Sequence, residues 1–207
     1  MQSAITVYSV NTGGKDKPIK GRLYFDYDRF TDPRRNSRVP KMLAHQFVDT
    51  EYSIYLDGNC SLLKPAQELV DLYLKDHDLA VFIHPKRDCI YDEATKCAVS
   101  KLDDPEVIIK QVSRYEKEGY AKHKGLCECM MILRRHTKKV EEFNNTWFSE
   151  WVTGSVRDQI SFMYSVNKVG LRINVIDLPW RVDTEGNGLR GDFFKIVPHI
   201  IVNPPVV

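Results

Sequence analysis

No stretch of the chain is apolar for the 18 or so residues that crossing a bilayer takes, and residues 1–20 carry no apolar core of a secretory signal. A soluble, cytoplasmic protein without a membrane span is therefore expected. Charge of one sign is lacking too. Thirty Lys and Arg face 28 Asp and Glu, which leaves +2, and no basic field argues for nucleic acid as a partner. The five cysteines are an odd number in a chain large enough not to need staples, so reduced thiols are expected. Repeats, low-complexity segments and linkers are absent, which points to one domain over residues 1–207. Zinc spacing is missing as well: Cys127-x-Cys129 is one residue too tight for a knuckle, and Cys89 and Cys97 have no histidine partner pattern. His45, His77 and His123 have no companion in the sequence. Thr12-Gly13-Gly14-Lys15 lacks the leading glycine and the full spacing of a phosphate-binding loop.

What is present is ordinary globular composition, 43% hydrophobic and 28% charged, arranged as alternating strands and helices. Ala4 to Val10 is β-branched and aromatic and stops at the turn cluster Asn11-Thr12-Gly13-Gly14. Arg22 to Phe25 reads as a second strand, Tyr52 to Leu56 as a third and Leu79 to Ile83 as a fourth; 129–133 and 171–176 have the same character. Pro40 suits the first turn of a helix, and Pro65 opens another in which Leu69, Leu72 and Tyr73 recur at helical spacing. Helical patterns follow near 90–101, 105–118, 138–150 and 156–167. From Pro179 the tail reads as irregular. This order predicts an α/β fold with a mainly parallel sheet covered on both faces, whose ligands gather beyond the carboxyl ends of the strands.

Residues 12–16, 57–59 and 84–87 are such ends; two of the three main constellations fall there and the third at a helix start. Asp57-Gly58-Asn59 closes an apolar strand with two oxygen-bearing side chains at i and i+2, a donor type suited to Mg²⁺ or Mn²⁺ carrying a diphosphate. The same residues also suit a plain Asp-Gly turn. His84, Arg87 and Glu93 lie within ten residues of the fourth strand's end, where a guanidinium fork and a carboxylate can reach sugar or phosphate oxygens; Asp92 and Glu93 equally favour a helix first turn. Arg157-Asp158-Gln159 precedes an apolar helix, and Asp158 or Ser155 is placed to cap it. Arg29, Arg34, Arg35, Arg38 and Lys41 form a basic stretch that reads as a solvated loop, with the alternative that Arg38 and Lys41 face phosphates. Trp147, Trp151 and Trp180 read as core or groove-lining.

The order of these pieces resembles a known family. Tyr8-Ser9-Val10-Asn11-Thr12-Gly13-Gly14, Tyr24-Phe25-Asp26, and Lys41 before Ser53-Ile54-Tyr55-Leu56-Asp57-Gly58-Asn59 are similar to the start of a GT-A glycosyltransferase. His84-Pro85-x-Arg87-x-Cys89-x-Tyr91-x-Glu93-Ala94, Gln111-x-x-x-Tyr115-x-x-Glu118-Gly119, Glu128 with Arg134-x-His136, and Arg157-Asp158-Gln159-x-Ser161-Phe162 then follow. Together they resemble the glycosyltransferase-like family of plant mucilage-related and ceramidase-named proteins with bacterial and viral relatives, over about residues 4–177.

The resemblance implies a GT-A-like domain that moves a hexose from a nucleotide-sugar, with uridine diphosphate as the expected carrier, to a glycan, lipid or protein acceptor. It implies Mn²⁺ or Mg²⁺ at Asp57 and Asn59, with His199 completing the shell, although Asn59 stands where the pattern has a second acid. It implies Asp158 and Gln159 at the reacting carbon, and Thr12, Gly13, Lys41, His84, Arg87, Glu93 and Arg157 around the donor and acceptor. A catalytically weak nucleotide- or carbohydrate-binding module on the same fold is the alternative. Amide hydrolysis is disfavoured, because no activated serine or zinc pattern is present.

Overall fold

The computed structural model describes residues 4–14 and 17–197. Its central sheet has six strands: β1 (Ile5–Val10), β2 (Leu23–Phe25), β3 (Tyr52–Leu56), β5 (Leu79–Ile83), β6 (Cys127–Arg135) and β7 (Asn174–Ile176), in the order β2-β1-β3-β6-β5-β7. The pairs β1–β2, β1–β3 and β5–β7 are parallel, whereas β6 runs antiparallel to both β3 and β5. The sheet is thus mixed but mainly parallel, as expected, with β6 as its one reversed strand among the described residues. The reversal matters for function, because it brings the start of β6 to the edge where β1, β3 and β5 end.

Among the described residues, six α-helices accompany the sheet: α1 (Pro33–Met42), α2 (Ala66–Tyr73), α3 (Ile90–Val99), α4 (Pro105–Lys117), α5 (Lys138–Val152) and α6 (Asp158–Val169). Period-two alternation divides the strands between two cores. Tyr8, Tyr55, Val81 and Ile132 face α1, α5 and α6 through Met42, Phe143, Trp147, Trp151 and Phe162. Ile54, Leu56, Ala80, Phe82, Met131 and Leu133 face α2 through Leu69, Val70 and Leu74. Trp147 and Trp151 are fully buried, as their sequence context suggests. Leu72, by contrast, faces solvent at 53% exposure; the buried stripe of α2 uses Val70 instead.

Local chemistry explains where several helices begin. Asp32 and Asp104 each precede a proline at the first helical position and accept a backbone N–H, from Arg34 at 2.8 Å and from Glu106 at 2.9 Å. The first of these pairs moves α1 seven residues upstream of the start expected at Pro40, which lies inside the helix. Gly170, at φ 67°, ends α6 in the left-handed conformation that a Cβ disfavours. The tail is not irregular either. β8 (Trp180–Val182), β9 (Gly188–Arg190) and β10 (Phe194–Ile196) join β4 (Cys60–Leu62) in a four-stranded antiparallel sheet, order β4-β10-β9-β8. Phe194 anchors it in the core shared with Leu56 and Phe82.

His136 is structural. Its Nε2 lies 2.8 Å from Ser53 Oγ, and burial beside Arg134 pushes its pKa down to about 4. The unfolded chain therefore takes up a proton that the fold refuses, and stability falls as pH drops from about 6.5 towards 4. His136→Phe should lower the pH slope of the unfolding free energy in that window by up to about one proton, as urea titrations at several pH values would show.

Candidate functional site

β3 ends at Leu56, and the chain turns through Asp57, Gly58 and Asn59 into β4, with Cys60 N–H donating to Asp57 C=O at 3.0 Å. Asp57 Oδ1 accepts a 2.7 Å hydrogen bond from the Tyr55 hydroxyl, and its side chain stays 35% exposed. Asn59 Nδ2 donates to Val197 C=O at 3.0 Å, while its Oδ1 takes only a weak thiol contact from Cys60 at 3.4 Å. One carboxylate and one amide oxygen thus stand at the strand tip, on an anchored turn.

Lys41, in the last turn of α1, is 2% exposed. Its Nζ lies 2.6 Å from Asp158 Oδ2, 3.5 Å from Asp57 Oδ1 and 4.9 Å from the centre of the Tyr55 ring. Arg38, three residues earlier on the same helix, brings Nε to 3.1 Å from Asp158 Oδ2, close but not aligned for a hydrogen bond. The basic stretch is therefore no solvated loop: its last two members turn inwards. Arg134, fully buried on β6, fixes the Lys41 backbone by donating to its carbonyl at 2.9 Å, and also bonds Asn144.

Asp158 opens α6 but caps nothing with its side chain; Arg157 occupies the cap position without a side-chain capping bond, and Ser155 Oγ accepts the Arg157 N–H at 3.1 Å. Burial raises the Asp158 pKa, but the charges of Arg38 and Lys41 outweigh it and hold the carboxyl well below the usual carboxylate range. Such a group is a fixed anion, poorly suited to act as a base or nucleophile. Gln159 beside it is half-buried.

At the end of β5, His84 Nδ1 accepts the backbone N–H groups of Lys86 and Arg87 at 3.2 and 3.0 Å. The ring therefore carries its proton on Nε2, 3.9 Å from Glu93 Oε2, and burial lowers its pKa, so it is neutral at pH 7. Arg87 pairs with Glu93 Oε2 at 2.6 Å, and the Cys97 thiol donates to Glu93 Oε1 at 3.2 Å. Glu93 is buried on α3, which serves more than a helix first turn requires. Arg157 couples the two clusters. It lowers the pKa of Asp158 by its charge and bonds the Cys97 side chain, yet its Nε is buried without a partner among the described residues.

Two residues that sequence reasoning did not place at the site complete this edge. Glu128, near the start of β6, accepts from Arg190 Nη2 at 3.0 Å, and that same nitrogen donates to Ile83 C=O at 2.6 Å. Burial raises the Glu128 pKa against the opposing pull of Arg190, with Asp57 adding to the rise. Arg190 is 2% exposed and stacks under Trp180, which is itself 39% exposed. Glu128 was legible as a member of the family-like motif with Arg134-x-His136, which gave it no role, and Arg190 carried no signal within a glycine-containing tail.

Thr12 and Gly13 follow β1. The Thr12 hydroxyl is buried without a partner among the described residues, and Gly13, at φ 67°, donates its N–H to Asp26 Oδ1 at 3.2 Å. His199 lies outside the described residues. A groove of about 970 Å³ between α4 and α5 lies apart from these groups. Its polar members Gln111, Arg114 and Glu150 are already bonded to one another or to Tyr115, so it reads as a packing seam.

The histidines have more company than the sequence suggests. His45 Nδ1 meets Asn144 at 3.2 Å, and His123 Nδ1 lies 2.9 Å from Asp88 Oδ1. A hard-oxygen donor pair at Asp57 and Asn59 fits Mg²⁺ or Mn²⁺ brought with a diphosphate. The Lys41 ammonium beside Asp57 already supplies one positive charge there.

Comparison with known proteins bears on the family of the chain. The TOD1/MUCI70 glycosyltransferase-like domain matches residues 24–188, from β2 through the start of β9 and so without β1 and Thr12-Gly13. The "Probable hexosyltransferase MUCI70" of Arabidopsis thaliana is 30% identical over 157 residues, 70% of this chain and 27% of that protein's length. The chain thus spans about a quarter of that relative. A crystal structure of A197 from STIV covers 98% of both chains at 10% identity with a TM-score of 0.47, too low to carry an argument. Among the described residues, no helix is long and apolar enough to cross a membrane. With its match running through β3, α3, β6 and α6, the chain belongs to the TOD1/MUCI70 glycosyltransferase-like domain family.

Proposed function

We propose that this protein is a glycosyltransferase of GT-A-like architecture that transfers a hexose from a nucleotide-sugar, a uridine diphosphate sugar in the first instance, to a hydroxyl of a glycan, lipid or protein. One observation carries the reading: Lys41 Nζ stands between Asp57 at the β3 tip and Asp158 at the start of α6. Residues far apart in sequence thereby make one charged centre at the strand ends, where an α/β sheet holds its ligand.

In the reaction the bond between the anomeric carbon and the diphosphate oxygen breaks, and its electron pair stays with the diphosphate. The acceptor oxygen bonds to the carbon, and the hydroxyl proton is balanced on the released diphosphate. Positive charge builds at the carbon, as in glycoside cleavage. Asp57 and Asn59 are the residues to hold Mn²⁺ or Mg²⁺, which when bound supplies Lewis-acid neutralisation of the leaving group. Lys41 and Arg38 present fixed cations to the same region, and Asp158 keeps them oriented rather than attacking the sugar itself. The unpartnered Arg157 Nε and Thr12 hydroxyl are donors for phosphate or sugar oxygens. Gln159, His84 and the Arg87–Glu93 pair are placed to sort sugar hydroxyls, and Gly13 to let the ligand approach the backbone.

The test is a donor panel. Nucleotide-sugars are incubated with the protein and Mn²⁺ or Mg²⁺, and released nucleoside diphosphate is measured beside an Asp57→Ala control. Metal-dependent release from one donor, lost in the control, is expected. The neutral Asn59 favours a second reading, a binding module with little turnover; nucleotide binding without release from any donor would select it.

A further inference from the structure

A second cluster of metal-capable side chains, unconnected with the strand tip, lies at the start of α3. Ligand atoms of Cys89, Asp92 and His123 fall within 4.8 Å of one another. Cys89 is the cap residue of α3, 1% exposed, and its side chain makes no capping hydrogen bond. Asp92 stands three residues on, so both side chains belong to the same helical turn. His123 comes from the loop between α4 and β6, at φ 56°. A non-glycine residue accepts such backbone rarely, and at a cost that its surroundings must sustain.

Asp88 provides the independent observation. Its carboxylate takes His123 Nδ1 at 2.9 Å, and its backbone carbonyl takes the N–H of Gly125 at 2.9 Å, which ties the loop to the residue just before Cys89. An imidazole that donates Nδ1–H to a carboxylate keeps a lone pair on Nε2. This is how histidine ligands of metals are oriented.

From these residues we infer a zinc site: Cys89, Asp92 and His123 as ligands, with Asp88 holding the imidazole and the fourth position open to water. Thiolate, imidazole and carboxylate together suit Zn²⁺ and not the hard ions expected at Asp57. On binding, the Cys89 thiol gives its proton to solvent as the Zn–S bond forms, with no change of oxidation state. The ion staples the α4–β6 loop to the helix that carries Glu93, one residue beyond Asp92. The site stands whether or not the protein transfers sugar.

The experiment is titration of the full chain with Co²⁺ and then Zn²⁺, followed by absorption and by thermal unfolding. A stoichiometric sulfur-to-cobalt charge-transfer band, displaced by Zn²⁺, and a rise in Tm with Zn²⁺ are expected. Cys89→Ala should abolish the band. His123→Ala, at a side chain 60% exposed and so of little consequence for folding, should weaken Zn²⁺ binding at least about a hundredfold, and Asp88→Asn about ten- to a hundredfold. Absence of the band in the wild type, or Zn²⁺ affinity unchanged in His123→Ala, would overturn the assignment.

Discussion

Lys41→Met is expected to lower the unfolding free energy by about 3–5 kcal/mol, because it removes one partner of a buried ion pair and leaves the other. Asp158 would keep only Arg38 at 3.1 Å, and Asp57 would lose its cation at 3.5 Å. For a domain of this size the loss amounts to a fall in Tm of roughly 10 °C. Adding Asp158→Asn should cost much less than its effect alone, with a coupling of about 1–3 kcal/mol, since the two side chains touch. Additive losses in that double-mutant cycle would mean that the 2.6 Å contact contributes no net stability. The acid limb should move as well. The Asp158 carboxyl is held below its unfolded value, so the stability it contributes is complete above about pH 4 and drains away below that. In Lys41→Met the folded value rises back towards the ordinary one, and this acid-sensitive contribution shrinks.

Asp57→Ala is expected to reduce donor turnover by about a thousandfold with little change in Tm. At an effective dielectric of ~20, one ion–diphosphate contact at ~4 Å is worth roughly 4 kcal/mol, and ~4 kcal/mol is about three decades of rate. The side chain is 35% exposed at a strand tip, and its described partners are the Tyr55 hydroxyl and Lys41, so the fold loses little. Asn59→Asp should act in the opposite direction. A second carboxylate would lower the metal concentration needed for half-maximal nucleoside diphosphate release. Normal turnover in Asp57→Ala would remove the strand tip from the reaction.

Much of the scaffold was legible from residue patterns. Tyr52 to Leu56 and Leu79 to Ile83 are apolar runs of strand length bounded by turn residues, and both are central strands. The turn after Leu56 and the His84–Glu93 segment were legible as oxygen- and nitrogen-rich ends of those strands. The start of α1 at Asp32-Pro33 went unread, although an aspartate before a proline is a local cap signal; the proline read for a first turn was Pro40, seven residues on. Leu72 shows the opposite limit: helical spacing named the stripe without saying which of its members the sheet would cover.

By itself the sequence determined what depends on neighbours along the chain: strand and helix order, a sheet covered on both faces, and polar groups at the ends of apolar strands. Tertiary structure alone decided which charges meet. Lys41 and Asp158 are 117 residues apart, and Arg190 reaches Ile83 across 107; no period or spacing encodes such pairs. Whether a lysine in a basic stretch is solvated or buried turns on the cost of taking its charge out of water, which only a carboxylate brought in by the fold can offset. The same reasoning separates Asp158 as a helix cap from Asp158 as the anion between Arg38 and Lys41. His123, without a companion in the sequence, likewise stands beside Asp88 and Cys89 only once the α4–β6 loop has closed.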